Sequence, residues 1–365
     1  MKRNWDHRVT KFQASLIGWS SRCLISIFQR IEVVNIYAMS RVYYVSSILP
    51  MPKNVVQKME KAIGKFIWSS SGKVLRVAIQ DIKNDKEKGG LGLICISTMN
   101  NSLLLSQLMR LLKSSNQKAI KHIGYWIGEI LGDFCPELAQ GTHARQTPVY
   151  YMTLADIVAQ AKISDVVSAT NWNLVLNKGI YRSFQSSFPA TKIEQEAGSS
   201  MSSVWKKLNL PLFPSETREV LYLLIHNKLP TTERLFRVNL ALDPYCDFCT
   251  STSGAEICDR FHFFCACQRV HEACTQVKNI LLPLVSLNPG SISDHDLLTL
   301  DFCCGEADIV SVWLVARYVE FTWKHFNSNG ALYLKTDELF GYLKFKYKSD
   351  QEGARMKLGT IPQFV

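Results

Sequence analysis

The 365 residues contain no pair of adjacent aspartates, no His-Glu-x-x-His, no Gly-x-Ser-x-Gly and no EF-hand loop. Each absence removes a chemistry: a paired-carboxylate two-metal polymerase centre, zinc proteolysis, a serine nucleophile elbow and calcium sensing. A phosphate-cradling loop is missing as well. Gly89-Gly90-Leu91-Gly92 is not followed by Lys-Ser/Thr, and Ile67 stands where the first Walker glycine should precede Ser71-Gly72-Lys73-Val74. The long apolar run of a membrane span is also lacking. The longest uncharged stretch, residues 89–109, carries Ser97, Thr98, Asn100, Asn101, Ser102, Ser106 and Gln107. The first eight residues lack the apolar region of a secretory signal, and eleven cysteines then suit a reducing compartment. The expectation is a protein of the nucleus or cytoplasm, neither secreted nor membrane-bound.

What is present is a sizeable core and an uneven charge. With 47% hydrophobic and 20% charged residues the chain can bury several helices. The net charge of +11 is concentrated early: residues 1–120 hold 19 basic and 6 acidic side chains, residues 121–365 hold 23 and 25. A polyanion is the natural partner of the first third.

Hydrophobic spacing points to a mainly α protein. Val9, Phe12, Leu16 and Trp19 share one helical face, and an apolar stretch over 25–48 ends at Pro50 and Pro52. Val55, Val56, Met59, Ile63, Phe66 and Ile67 fall on one side of a helix and Lys58, Lys61 and Lys65 on the other. A Leu-rich helix is expected over 101–113, another over 153–161, and a long one over 308–326 with Val312, Trp313, Ala316 and Val319 inward. Residues 140–203, rich in Ser, Thr and Gln, read as connector and linker. The organisation expected is a basic helical domain over 1–125, a helical connector over 126–203, a helical segment with a Cys/His module over 204–275, and C-terminal helices over 276–365.

Six of the eleven cysteines lie between Cys246 and Cys274. Cys246, Cys249, His262 and Cys267 read as C-x2-C-x12-H-x4-C, a ligand set soft enough for one structural, tetrahedral zinc. Composition alone yields roughly 0.3 chance C-x2-C pairs, so the weight falls on the histidine and the second cysteine group. On spacing, Cys265 serves as fourth ligand as well as Cys267; Cys258 and Cys274 read as bystanders. The lysine stripe Lys58/Lys61/Lys65, with Arg22, Arg30, Lys83, Lys86 and Lys88, is the candidate track for a phosphate backbone. Most tryptophans sit at core spacing rather than as stacking platforms. No nucleophile, base and oxyanion site assemble, so no catalytic residue is assigned.

Five segments, taken in order, resemble the C-terminal part of the polymerase polyprotein of non-LTR (LINE-type) retrotransposons. They are Trp19 to Ile31, similar to the family's "W…R.LSl.GRi"; Phe66-Ile67-Trp68, similar to "FlW"; and Lys88-Gly89-Gly90-Leu91-Gly92-Leu93, similar to "kGGLGl". Then come Val204-Trp205 with His226-Asn227-Lys228-Leu229-Pro230-Thr231, similar to "hg.LPT", and His262-Phe263-Phe264-Cys265-Ala266-Cys267, similar to "HLFf.C". Gln29 departs from the family's usual glycine. The resemblance implies an α-helical thumb that holds an RNA/DNA template–primer duplex, a connector, and a zinc module, and it selects Cys267 over Cys265. It also implies that the palm, with its carboxylate pair, belongs before Met1, so the chain alone should not polymerise DNA. A captured, non-enzymatic nucleic-acid-binding protein and an inactive relic are the alternatives.

Overall fold

A computed structural model describes residues 2–21, 26–68, 77–132, 147–161, 177–198, 200–252, 254–285, 292–301, 309–329 and 333–353. Among these the protein is mainly helical, as the spacing predicts. The short strands expected near the cysteines reduce to one antiparallel bridge between Tyr245 and Ile257. Among the described residues no helix is long and apolar enough to cross a membrane.

The chain divides into two compact units that interleave in sequence, one from Met1–Leu24, Arg30–Ile67 and Gly92–Ala190, the other from Ile25–Gln29, Trp68–Leu91 and Thr191–Val365. In the first unit, Lys2–Ser20 buries Trp5, Val9, Phe12 and Leu16 and packs on Lys53–Ile67, which buries Val55, Met59, Ile63, Phe66 and Ile67. Trp19, expected on the same face, is instead half-buried, its ring centroid 5.1 Å from that of Tyr37. A π-helical turn, Val34–Ala38, leads into Met39–Ser46.

Polar side chains hold the ends of these helices. The Arg30 guanidinium donates to the carbonyls of Phe66 (3.3 Å) and Ile67 (2.9 Å), which have no partner within their own helix at its C-terminus. Asn100, an argument against a membrane span in the sequence, is buried. Its amide donates to the carbonyls of Ser46 (2.7 Å) and Leu49 (3.1 Å) and its oxygen accepts from the Met51 N–H (2.7 Å). The Leu-rich helix runs Ile96–Leu112, starting earlier than expected. Its Leu104, Leu105 and Leu108 form a core with Ile123, Ile127, Leu154, Ile157 and Val158 from Gln117–Leu131 and Val149–Gln160. Among the described residues of the stretch read as connector lie the helices Val149–Gln160, Asn177–Gln185 and Lys192–Ala197.

In the second unit the glycine loop is a buried joint. Gly89 adopts a left-handed φ of +75°, and a Cβ there would stand 2.6 Å from the ring of the fully buried Trp205. A Cβ on Gly90 would lie 1.9 Å from the Asn84 carbonyl oxygen. The Gly89 carbonyl accepts from the Tyr222 hydroxyl (3.2 Å) and lies 3.3 Å from His226 Nε2. His226 in turn stacks on Trp205 with centroids 5.4 Å apart. Segments far apart in sequence thus meet at one point. Ile309–Asn329 is the central helix of this unit, and its buried Arg317 pairs with Glu320 and Asp350, each at 2.6 Å.

Candidate metal centre and basic faces

The Cys/His module is built from three short pieces of backbone. The Tyr245–Ile257 bridge, with Cys246 N–H to Glu256 O (2.8 Å) and Cys258 N–H to Pro244 O (2.8 Å), closes a loop across the cysteine pair. Within it, Cys246 immediately precedes the helix Asp247–Thr252, so Cys249 returns to the same side one turn later. His262 opens a π-helical turn, His262–Ala266, closed by Cys267 N–H to His262 O at 2.8 Å. That wider turn matters for the H-x4-C spacing. In an α-helix, five residues place two side chains about 140° apart around the axis; the i→i+5 closure and the extended Cys267 bring both to one point.

There Cys246, Cys249, His262 and Cys267, all buried, offer ligand atoms within 4.8 Å of one another, close enough to hold a metal ion. The Cys246–Cys267 and Cys249–Cys267 sulfur pairs are 3.9 and 3.7 Å apart, and Cys249 Sγ lies 3.4 Å from His262 Nε2. The structure thus gathers Cys267, not Cys265, into this set. Hydrogen bonds from Cys258 and then Cys267 hold the Cys246 thiol well below its usual range, while the bond to Cys246, followed by burial, raises Cys258 and Cys267. The same Cys246 sulfur raises His262.

Two participants were not singled out in the sequence. Glu256 Oε2 lies 3.0 Å from His262 Nδ1, which fixes the ring so that Nε2 faces the cysteines. Burial lowers the Arg269 guanidinium, but its hydrogen bond to Cys267 more than compensates, placing a cation beside the sulfurs. An acidic residue inside a twelve-residue loop and an arginine two positions past the last cysteine carry no periodic signal. Arg260 anchors the module: its guanidinium donates to the carbonyls of Leu224 (3.0 Å) and Ile225 (2.9 Å), at the end of the helix Ser215–Ile225. On its apolar side Phe263 and Phe264 pack on Trp323, with centroids 5.6 and 6.4 Å apart.

The candidate phosphate track separates into parts. Lys58, Lys61 and Lys65 are exposed along one side of Lys53–Ile67, opposite its buried stripe, and form no ion pair among the described residues. Lys86 and Lys88 are exposed on the 3-10 turn Lys86–Lys88 of the second unit. Two assignments need correction. Arg30 is buried, its guanidinium turned inward to the Phe66 and Ile67 carbonyls, and Lys83 is buried at 4% exposure; neither side chain faces solvent where a phosphate would pass. Arg22 lies outside the described residues. Trp5, Trp68, Trp205 and Trp313 are core residues. No family model and no curated protein matches the chain.

Proposed function

We propose that this chain is a nucleic-acid-gripping portion of a LINE-type reverse transcriptase, comprising thumb, connector and zinc module, and that it acts without catalytic residues of its own. The observation that carries the reading is the Lys58/Lys61/Lys65 face: three exposed cations at helical spacing along one helix. Such a row matches a phosphate backbone, whose condensed counterions it would release. The burial of the motif residues supports the resemblance in physical terms. Arg30 touches Phe66 and Ile67, and Gly89 touches Trp205 and His226, so the segments that carry the likeness are joints of the fold rather than isolated strings.

Zinc is the ion that suits the Cys/His cluster. Tetrahedral ligands at about 2.3 Å for sulfur and about 2.05 Å for nitrogen stand about 3.8 Å (S–S) and about 3.6 Å (S–N) apart. The sulfur separations of 3.7 and 3.9 Å and the sulfur–nitrogen separation of 3.4 Å fit those edges. The chain's own residues would orient the ion: Glu256 holds the imidazole, and Arg269 offsets the excess negative charge of three thiolates.

The test is binding of the purified chain to an RNA/DNA template–primer duplex across a salt series. Lys58→Ala/Lys61→Ala/Lys65→Ala should lower the slope of log K against log salt by roughly 3. Binding indifferent to salt, or an unchanged slope in the triple variant, overturns the reading. Cys246→Ser should remove one zinc equivalent by elemental analysis.

A further inference from the structure

A second group of ligating side chains lies behind the first. The π turn His262–Ala266 sends Cys265 away from the four-residue cluster, toward Cys274 on the helix His271–Leu281 and Asp294 at the start of Asp294–Thr299. We propose that Cys265, Cys274 and Asp294 form a second metal site, taking a thiophilic divalent ion such as zinc. Their sulfur and carboxylate atoms all lie within 4.8 Å of one another. An ion about 2.3 Å from each sulfur and about 2.1 Å from the oxygen needs only sub-ångström closure to reach all three.

The surroundings fit a divalent ion. Both cysteines are 2% exposed, so a charge placed on them must be balanced locally. Two thiolates and a carboxylate carry three negative charges; a divalent ion contributes two positive charges and Lys278, whose ammonium pairs with Asp294 Oδ1, contributes one. The group is then neutral. A monovalent ion would leave it negative, and a trivalent one positive. Lys278 pairs with Asp294 Oδ1, the arrangement in which a neighbouring donor orients a ligating carboxylate. The Asp294 side chain is 40% exposed, so water can reach the fourth position that three protein ligands leave open. Cys265, which spacing alone offered as an alternative to Cys267, thereby gains a separate role.

The proposal is independent of the first cluster and is tested on the full chain by counting zinc with native mass spectrometry at saturating zinc. Wild type should carry two ions, Cys274→Ala one and Cys246→Ser one. Asp294→Asn, at a partly exposed position that leaves both thiols intact, should weaken one of the two ions by more than about tenfold. Saturation of wild type at one ion that survives Cys274→Ala but not Cys246→Ser overturns the second site and leaves the first standing. One ion that survives Cys246→Ser but not Cys274→Ala supports the second site and removes the first. Two ions retained in Cys274→Ala also overturn the proposal.

Discussion

Acidification should unfold this protein partly through one buried imidazole. His226 is enclosed by Trp205 and Tyr222, with Nε2 3.3 Å from the Gly89 carbonyl. Burial, and more weakly the Lys228 and Arg260 charges, push its pKa down from 6.5 to about 4 despite the Gly89 hydrogen bond. The folded protein therefore keeps His226 neutral through a range in which the unfolded chain takes up a proton. The stability this confers is complete above pH 6.5 and is lost as pH falls toward 4. Linkage sets the loss at about 2 kcal/mol by pH 5 and about 3 kcal/mol below pH 4. Urea unfolding at pH 7.5 and pH 5.0 would measure it in wild type and in His226→Gln, whose amide can still donate to Gly89. The metal cluster and the carboxylates titrate in both proteins, so their contribution cancels in the difference. Wild type should lose about 2 kcal/mol more than the variant between the two pH values. Equal losses, or a His226 resonance titrating near 6.5 in the folded protein, would refute the argument.

Four further outcomes follow from the geometry. Gly90→Ala would drive a methyl into the Asn84 carbonyl and should destabilise the protein by about 1–3 kcal/mol or prevent folding, measured by chemical denaturation. Glu256→Ala should weaken zinc at the first cluster about 10–100-fold in a competition titration with a zinc chelator, and Glu256→Gln, which keeps an acceptor for Nδ1–H, should fall between. Arg30→Lys replaces a buried guanidinium, whose Nη1 donates to both carbonyls, with a shorter and more strongly hydrated ammonium, so it should cost about 1–2 kcal/mol of stability while leaving the salt slope of nucleic-acid binding unchanged. Lys58→Glu should weaken duplex binding across all sequences tested without shifting the thermal midpoint beyond about 2 °C, since its side chain is exposed.

The parts of the fold that sequence reading recovered are those with a single period. The stripe Val55, Met59, Ile63, Phe66 and Ile67 admits only a helix, and its lysines had to face outward. The C-terminal helix Thr336–Gly353 shows the opposite case. Its stretch Tyr342-Leu343-Lys344-Phe345-Lys346-Tyr347-Lys348 alternates apolar and charged residues like a strand, yet Leu339, Leu343 and Tyr347 are the buried positions and Phe345 is exposed. Gln117–Leu131 was hidden by Gly124 and Gly128, weak helix formers, and has non-helical angles at Ile127. At the Cys/His cluster, spacing singled out Cys246, Cys249 and His262 because thiols and imidazole are scarce, and left Cys265 and Cys267 open for the fourth place, which the resemblance gave to Cys267. Spacing did not find Glu256 or Arg269, whose residue types are common and whose roles depend on a bridge and a turn that only folding creates. The same ambiguity put Arg30 and Lys83 among exposed cations: a basic side chain that caps carbonyls and one that meets phosphate look alike in a string of letters.

A single nitrogen of Arg260, Nη1, ties two segments together. Arg260 sits between Cys258 and His262 and clasps the last carbonyls of Ser215–Ile225, the helix that leads directly into His226. Release of the knotted loop would therefore strip that helix of its terminal clasp and open the enclosure behind it. Loosening of the cysteine-bearing loop should thus be felt at the distant glycine joint as faster amide exchange.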